Sequence, residues 1–262
     1  MLEPPPRSVF ITGASSGIGL ALARHYARLG ASLGLAARRE DRLKEIAAEL
    51  ETLGTNQICL YPLDVADAAA LQTAATHFIA HAGPPAIVIA NAGVSSGTLT
   101  ECVEDLSVFR RIFDINVYGM AATFSPFIRA MQQNGGGRLV GIASVAGIRG
   151  LPGAEAYSAS KSATITYLES LRLEMRASGI KVVTIAPGYI DTPMTTINPY
   201  PMPFLLPAEE AAKRFARAIE RGTSYTVIPW QMGIVAKILR FMPNWLYDRL
   251  FANAPRKPRA LL

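Results

Sequence analysis

The chain has 262 residues, half of them hydrophobic and 18% charged, a balance that excludes a mostly disordered protein and is typical of a globular one. The formal net charge is +6, but six cations and a single acid lie from residue 237 onward. The main body is therefore nearly neutral, and we expect no nucleic-acid-binding surface on it. The two cysteines, Cys59 and Cys102, match neither a metal site nor a disulfide scaffold, so we expect a cytoplasmic protein.

Short segments rich in valine, isoleucine and leucine alternate along the chain with amphipathic segments. Strands are predicted at residues 9–12, 32–36, 57–61, 87–90, 139–143, 182–186 and 225–228. Helices are predicted at residues 17–29, 40–53, 66–81, about 102–131 and 156–177. This alternation predicts an α/β, doubly wound (Rossmann) parallel sheet of about seven strands in a three-layer α/β/α arrangement. We expect one catalytic domain over residues 7–229 and a basic, amphipathic helical extension over residues 230–262.

A glycine-rich turn joins the first predicted strand to the first predicted helix. Glycines at this position let a dinucleotide pyrophosphate approach the free N–H groups of a helix N-terminus. The predicted cofactor-binding residues of the turn are Gly13, Ser15, Ser16, Gly17, Ile18 and Gly19. Taken alone, the pattern is equally typical of an ordinary glycine turn.

The end of the second predicted strand bears on cofactor choice. An NAD site would place an acid near residue 37, where it would bond the ribose hydroxyls, but this chain has Ala37 followed by Arg38. A guanidinium suits a 2′-phosphate in charge and geometry, so we expect NADP(H). The alternative is that Arg38 and Arg39 merely flank the start of a helix.

Tyr157 and Lys161 stand four residues apart in a predicted helix and so share one face. A nearby ammonium favours the phenolate of a tyrosine and lowers a pKa that is ordinarily about 10. Tyr157 is therefore expected to act as general acid in a reduction and as general base in an oxidation. The alternative is a surface pair on an amphipathic helix.

Five motifs in order resemble those of the short-chain dehydrogenase/reductase family, from about residue 7 to residue 228. They are the glycine turn, Asn91-Ala92-Gly93, Asn116, Ser144 and the Tyr157/Lys161 pair; Ala90 departs from a frequent asparagine of the family. The resemblance implies NADP(H)-dependent hydride transfer between a ketone or aldehyde and an alcohol. It also implies that Lys161 bonds the nicotinamide ribose, Ser144 holds the substrate oxygen and Asn116 positions a water in a proton relay.

The same resemblance implies further cofactor contacts at the ends of other strands. They are Asp64 and Val65 near the adenine, Asn91, Ala92 and Gly93, and Pro187, Gly188, Ile190 and Thr192 near the nicotinamide. For Asp64 the alternative is a helix N-cap before Ala66. For Asn116 it is a helix-interior asparagine that bonds a backbone carbonyl. Relatives associate through their long helices, so a homodimer or homotetramer is expected.

Three segments are expected to border the nicotinamide: residues 94–99, 145–155 and 189–207. The third contains the apolar residues Met194, Tyr200, Met202, Phe204, Leu205 and Leu206. They favour an apolar or lipid-like small-molecule carbonyl or alcohol as substrate, the alternative being that they cover the core. Arg149 either meets an acidic substrate group or is solvated.

The segment after the last predicted strand has apolar residues at helical spacing, Ile234, Val235, Ile238 and Met242, with Lys237 and Arg240 off that stripe. Cations beside apolar and aromatic residues suit an anionic membrane surface, which would make the protein peripheral on the inner face of a membrane. The alternative is packing on the core or on a partner subunit.

Two other functions remain open from the sequence. A catalytically silent NADP-binding sensor or scaffold on the same fold is the main alternative, but such proteins usually lose the tyrosine, the lysine or both. Epimerase chemistry belongs mostly to longer relatives. His77 and His81 are four residues apart, but no third ligand accompanies them, and we expect no metal site.

Overall fold

A computed structural model describes residues 8–198 and 200–259 of the chain. Seven parallel strands form the main sheet in the order β3-β2-β1-β4-β5-β6-β9. The order reverses between β1 and β4, which creates the crevice where ligands bind in such sheets. The strands are β1 (Ser8–Thr12), β2 (Ser32–Ala37), β3 (Ile58–Pro62), β4 (Ile87–Ala90), β5 (Gly137–Ile142), β6 (Ile180–Pro187) and β9 (Tyr225–Ile228).

Helices cover both faces of the sheet because its apolar side chains alternate between the two sides. On one side the core includes Leu22, Leu35, Ile46 and Phe215, and on the other it includes Phe10, Phe78, Phe124 and Leu168. The helices of the main body are α1 (Gly17–Ala27), α2 (Glu40–Glu51), α3 (Ala68–Ala82), α4 (Asp105–Phe113), α5 (Gly119–Gln133), α6 (Glu155–Glu174), α7 (Pro193–Thr196) and α8 (Ala208–Arg221). The predicted doubly wound fold is thereby confirmed, and the strand ends differ from prediction by at most two residues.

The long predicted helix at about 102–131 is not a regular α-helix. A π-helical segment, Asp114–Tyr118, separates α4 from α5, and it contains Asn116. Such segments commonly mark functional sites, because the wider turn redirects a side chain. Sequence periodicity does not reveal a single inserted residue of this kind.

The start of α3 settles the cap expected near residue 64. The helix begins at Ala68, and the carboxylate of Asp67 caps it by accepting from the Ala70 N–H at 3.0 Å. Asp64 accepts from the Ala66 N–H at 2.9 Å in the preceding turn. The alternative of Asp64 as the helix N-cap is therefore wrong, and the cap lies three residues further on.

The segment predicted as a loop around residues 198–207 carries a short second sheet. β7 (Ile190–Asp191) pairs with β8 (Leu206–Pro207), so the connection leaves the main sheet and returns to it. Leu206 belongs to the core, whereas Phe204 and Leu205 are exposed. Some apolar residues of this segment thus cover the core, as the alternative interpretation expected, and others are exposed to solvent.

The extension folds as two helices, α9 (Trp230–Phe241) and α10 (Asn244–Phe251). Met232 and Ala236 of α9 and Tyr247 of α10 are buried. Ile234 and Ile238, members of the predicted stripe, are instead more than half exposed, at 51% and 58%. The part of the stripe that they form does not pack on the core. No helix in the described ranges is long and apolar enough to cross a bilayer.

Candidate active site

A cleft of about 320 Å³ lies at the carboxyl ends of the central strands, where the strand order reverses. Most of the predicted site residues line it: Gly13, Ser15, Ser16, Gly17, Ile18, Arg38, Asp64, Val65, Asn91, Ala92, Gly93, Ser144, Tyr157, Lys161, Pro187, Gly188, Ile190 and Thr192. Gly19 and Asn116 do not line it. Sequence positions at strand ends therefore converge on one cleft.

The glycine-rich turn is held against the loop that follows β4. Gly13 has φ +67°, a conformation that favours glycine, and the Asn91 amide donates to the carbonyl oxygens of Thr12 and Gly13 at 3.0 and 3.2 Å. No described side chain caps the start of α1 at Ser16. The first N–H groups of α1 thus remain available to an anion such as a pyrophosphate.

Gly19 lies behind the wall of the cleft. A Cβ atom at this position would stand 2.3 Å from the Gly13 carbonyl oxygen and 2.6 Å from Nδ2 of Asn91. The glycine therefore lets α1 approach the turn closely. Its neighbours indicate a packing role for a residue that the sequence placed among the cofactor contacts.

Two arginines stand at the end of the cleft beyond β2. Arg38 and Arg39 are exposed, and an Nη atom of Arg39 donates to the Ser15 hydroxyl at 3.3 Å. Ala37, which also lines the cleft, carries no charge that would repel a phosphate. Arg39 is a residue that the sequence-based assignment left out.

Asp64 is fixed by two donors, the Ala66 N–H and the guanidinium of Arg111. Burial alone raises the pKa of this carboxyl, but those hydrogen bonds and the positive charges of Arg111 and Arg38 outweigh it, so its pKa lies below the ordinary value. Asp64 is therefore an anion at neutral pH. It holds the end of β3 to α4, a link that the sequence did not indicate.

Tyr157 and Lys161 project from the first turns of α6 toward the end of β5. The Lys161 ammonium donates to the Ile142 carbonyl oxygen at 2.8 Å and lies 5.9 Å from the centre of the Tyr157 ring. Lys161 is only 4% exposed, whereas Tyr157 keeps part of its surface open. The lysine is thus fixed in position beside a phenol that can meet a ligand.

The electrostatics of this pair differ from the sequence-based expectation. Burial raises the pKa of Tyr157, and a hydrogen bond with the Ser144 hydroxyl offsets the rise only in part. Burial also lowers the pKa of Lys161 to about 8, so this lysine loses its charge at a lower pH than an exposed lysine does. The expected depression of the tyrosine pKa by Lys161 is absent, because burial is the main cause of the shift and Ser144, not Lys161, is the group that opposes it. The phenol is protonated at neutral pH, which suits a general acid.

Ser144 lies at a turn beside Tyr157. It precedes the short 3₁₀ turn Val145–Gly147, and its hydroxyl accepts from the Ala146 N–H at 3.1 Å. The same hydroxyl opposes the rise in the pKa of Tyr157, so it lies near the phenol. It is a turn serine that also faces the phenol, in the position expected of a group that binds the substrate oxygen.

Asn116 is completely buried and bonds groups outside its own helix. Its Oδ1 accepts from the Val94 N–H at 2.9 Å, and its Nδ2 donates to the Val94 carbonyl and the Ser160 hydroxyl, both at 3.0 Å. These contacts agree with the alternative of a helix-interior asparagine that bonds a backbone carbonyl, although that carbonyl belongs to the loop after β4 and not to its own helix. Asn116 ties that loop to α6 and so positions Tyr157 indirectly.

The segment after β6 closes the other side of the cleft. Thr192 and Thr195 form a capping box at the start of α7, in which the Thr195 hydroxyl bonds the Thr192 N–H at 3.1 Å. Met194 lines the cleft, and the rings of Tyr189 and Tyr200 meet edge to face, with their centres 6.5 Å apart. Burial raises the pKa of Tyr200 to about 12, and the nearby Tyr189 and Tyr157 add to the shift. Apolar and aromatic groups therefore approach Tyr157.

Four lining residues were not expected at the site from the sequence: Leu63, Ile115, Ile142 and Ala143. Pro193 and Thr195 also line the cleft and belong to the segment 189–207, which was expected there. Leu63 and Ala143 follow strands directly, so the rule that ligands bind beyond strand ends could have found them. Ile115 reaches the cleft through the π-helical turn, which no pattern indicated.

Arg149 serves a purpose that neither interpretation of the sequence foresaw. One of its Nη atoms donates to the carbonyl oxygens of Leu239 and Met242 at 2.9 and 2.7 Å, and its guanidinium lies 4.2 Å from the centre of the Tyr247 ring. Arg149 therefore fastens the two helices of the extension to the loop after β5. It does not line the cleft.

Comparisons with known proteins agree with this geometry. The family model for short chain dehydrogenases matches residues 7–199. A Myxococcus xanthus (strain DK1622) protein described as an uncharacterized oxidoreductase is 38% identical over 248 residues, which cover 95% of this chain and 97% of that protein. An Arabidopsis thaliana protein described as 11-beta-hydroxysteroid dehydrogenase-like 2 is 34% identical and covers 94% of this chain, with 82% of its own length matched.

A solved structure has the same fold. The crystal structure of a short-chain type dehydrogenase/reductase from Mycobacterium marinum superposes with a TM-score of 0.77 at 28% sequence identity, over 85% of this chain and 93% of that one.

Proposed function

The chain belongs to the short-chain dehydrogenase/reductase family of oxidoreductases, and from this premise we propose that it interconverts a ketone or aldehyde and an alcohol with NADP(H). The observation that carries the proposal is the meeting of Ser144, Tyr157 and Lys161 at one end of a cleft whose other end holds Arg38. The glycine turn and the uncapped start of α1 between them fit a dinucleotide.

In reduction, Tyr157 donates the proton to the carbonyl oxygen while Ser144 holds that oxygen in place. NADPH, when bound, supplies the hydride. The raised pKa of the phenol keeps its proton available at neutral pH. Lys161 uses one donor for Ile142 and has two more, which suit the hydroxyls of the nicotinamide ribose. Oδ1 of Asn116 retains one lone pair for a relay water.

The choice of NADP(H) over NAD(H) rests on charge at the end of β2. Arg38 and Arg39 offer guanidinium groups to a 2′-phosphate, and Ala37 supplies no carboxylate for ribose hydroxyls. Arg39 is already oriented by Ser15, so the two arginines would act together.

The substrate proposed for the site has an apolar body. Met194, Tyr189 and Tyr200 offer an apolar and aromatic wall near Tyr157. The relative whose name refers to hydroxysteroid dehydrogenases supports a substrate of this class. Phe204 and Leu205, both exposed beyond this wall, would extend it.

NADPH consumption across a panel of apolar ketones and aldehydes tests the proposal. We expect saturable turnover with the wild-type protein and loss of turnover with Tyr157→Phe. Tight NADPH binding without turnover on the whole panel would contradict the proposal and support the catalytically silent sensor instead.

We also propose that the extension rests on an anionic membrane. Trp230, Ile234, Ile238 and Phe241 share one face of α9, at exposures of 66%, 51%, 58% and 84%. Trp245 and Leu250 of α10 are likewise exposed. An exposed apolar surface of this extent is typical of an interaction site. The surface consists of these six residues, called here the apolar face.

The cations that accompany the apolar face are fewer than the sequence indicated. Lys237 and Arg249 make no hydrogen bond or ion pair with another described residue. Arg240, however, donates to the Ile148 carbonyl, and Lys257 and Arg259 point to other parts of the molecule. Each cation near an anionic bilayer contributes about 1 kcal/mol of binding free energy. Lys237 and Arg249 alone therefore cannot provide the affinity, and most of it must come from insertion of the apolar face.

Co-sedimentation with phosphatidylserine vesicles at low salt tests this second proposal. Wild-type protein is expected to bind and Phe241→Asp to bind much less, while Leu29→Asp, a substitution of an exposed leucine elsewhere, retains binding. If vesicles fail to bind and Phe241→Asp instead lowers the mass seen in sedimentation velocity, the apolar face is an interface between copies of the chain. A homodimer or homotetramer through α4, α5 and α6 is proposed from the family alone.

A further inference from the structure

The end of the chain returns to the active site after α10. Residues 254–259, called here the strap, run along the loop after β4, where the Gly97 N–H donates to the Pro258 carbonyl at 2.9 Å. A Cβ atom on Gly97 would stand 2.3 Å from the Lys257 carbonyl oxygen. The strap therefore approaches the backbone at position 97 more closely than a residue with a side chain would allow. For these residues the structure agrees with the alternative of packing on the body of the protein.

Contacts on both sides of Lys257 pin the strap. Arg259 forms a two-point ion pair with Asp105, with N–O distances of 2.8 and 3.2 Å, and Asp105 is 5% exposed. Asp105 also accepts from the Leu99 N–H at 2.9 Å, which joins the strap to the loop after β4. On the other side, the side chain of Arg256 packs over Gly153 in the loop after β5. The backbone at Lys257 is thus held in place from both sides.

Lys257 extends from the strap toward the catalytic tyrosine. Its ammonium donates to the hydroxyl of the buried Ser95 at 2.9 Å and contacts the Met194 carbonyl oxygen at 3.5 Å. It lies 5.9 Å from the centre of the Tyr157 ring. These contacts lie in the loop after β4 and the segment after β6, two of the three segments expected to border the nicotinamide.

The ammonium has no counter-ion among the described residues. No carboxylate among residues 8–198 and 200–259 forms an ion pair with Lys257; its two partners are neutral acceptors, and one is distant. Burial lowers the pKa of Lys257 to about 8, so the group is still mostly charged at neutral pH. A half-buried cation that lacks an anionic partner costs desolvation free energy, and an anionic ligand that pairs with it would offset this cost.

We propose that Lys257 is an anion-binding, specificity-determining residue of the substrate site, so that the preferred substrate is an apolar carbonyl compound bearing a carboxylate a few bonds from its carbonyl. This rests on the proposed carbonyl reduction. Met194 and the tyrosines contact the apolar body, Tyr157 meets the carbonyl, and Lys257 pairs with the carboxylate. The strap therefore acts as part of the substrate site, although it lies outside the strands and helices that bind the cofactor.

The test compares aliphatic keto acids with their methyl esters, with the ketone at increasing distance from the carboxylate. Steady-state kinetics with NADPH and calorimetric titration of the NADP-loaded protein are both measured. Wild-type protein is expected to prefer at least one acid over its ester, and Lys257→Met to lose roughly tenfold or more of that preference while keeping its affinity for NADPH. Lys257→Arg should restore part of it.

Arg256→Met is the matched control, since it removes a cation from the same strap but keeps the Cβ and Cγ atoms that pack over Gly153 and hold the strap in place. It should leave the preference for the acid unchanged. Equal binding of acids and esters by wild-type protein, or equal loss of preference in Lys257→Met and Arg256→Met, would overturn the proposal. Acids that bind through Lys257 without being reduced would instead contradict the proposed reaction and leave the anion site standing.

Discussion

Removing Arg38 should separate the two nicotinamide cofactors. Arg38 is exposed at the mouth of the cleft, and we place the 2′-phosphate beside it. A hydrogen bond to a charged group contributes about 1.5–3 kcal/mol, and solvent exposure reduces this to roughly 1–2 kcal/mol. Arg38→Ala should therefore weaken NADPH binding by about 5- to 30-fold and leave NADH binding almost unchanged.

The assay is a fluorescence titration of each variant with NADPH and with NADH. Arg42→Ala is a matched control, because Arg42 is also exposed but pairs with Glu45 on α2 and does not line the cleft. Ala37→Asp should shift the preference the other way, since it supplies an acceptor for ribose hydroxyls and repels the phosphate. Equal losses for both cofactors in Arg38→Ala would refute this reasoning and indicate that Arg38 supports the fold.

Two further predictions concern stability. Gly19→Ala should lower the free energy of unfolding, measured in urea, by about 1–3 kcal/mol and weaken NADPH binding, because the new Cβ atom would lie 2.3 Å from a backbone oxygen. Gly150→Ala is the control and should have little effect, because no atom lies within 4 Å of the new Cβ atom. Burial lowers the pKa of Lys161 and of Lys257 from 10.5 to about 8. Between these two pH values the unfolded chain binds more protons than the folded protein, so the free energy of unfolding should rise with pH. Above pH 10 the raised pKa of Tyr157 acts in the opposite direction. The rise should be smaller in Lys257→Met, and an identical rise in that variant would contradict the burial of this ammonium.

The fold was accessible from the sequence because the apolar segments are short and separated by amphipathic helices. Strands β4 and β9 have the predicted bounds, and the others differ by one or two residues at their ends. The π-helical turn at Asp114–Tyr118 could not be predicted, because one extra residue per turn leaves the apolar spacing almost unchanged. Predicted helix ends were also less accurate, since capping by Asp67 depends on local geometry.

The site was predictable where its residues follow strands and less so where it depends on distant packing. Ser144 follows β5, and Tyr157 and Lys161 lie in the first turns of α6, the helix that comes next, so the three come together at the carboxyl edge of the sheet as expected. No sequence pattern indicated that Asn116 would bond Val94, or that burial would raise the pKa of Tyr157. Both depend on the loop after β4 and on desolvation, which a linear pattern does not describe.

The strap could not be foreseen for a similar reason. Arg256, Lys257 and Arg259 form a short basic run, and such runs are usually solvated. Only the space above Gly97 and the buried Asp105 bring this run back to the active site. These two features lie about 150 residues earlier in the chain, as the Arg259–Asp105 separation of 154 residues illustrates.

Hydride transfer by the intact protein tests the central claim most directly. NADPH labelled with deuterium at C4 of the nicotinamide is mixed with a ketone that the wild-type protein reduces, and the alcohol is analysed by mass spectrometry. We predict deuterium on the carbinol carbon with the wild-type protein, and transfer at least about a hundredfold slower in Tyr157→Phe, which should still bind NADPH nearly as tightly. Wild-type rates in Tyr157→Phe, or an alcohol without deuterium, would contradict the claim.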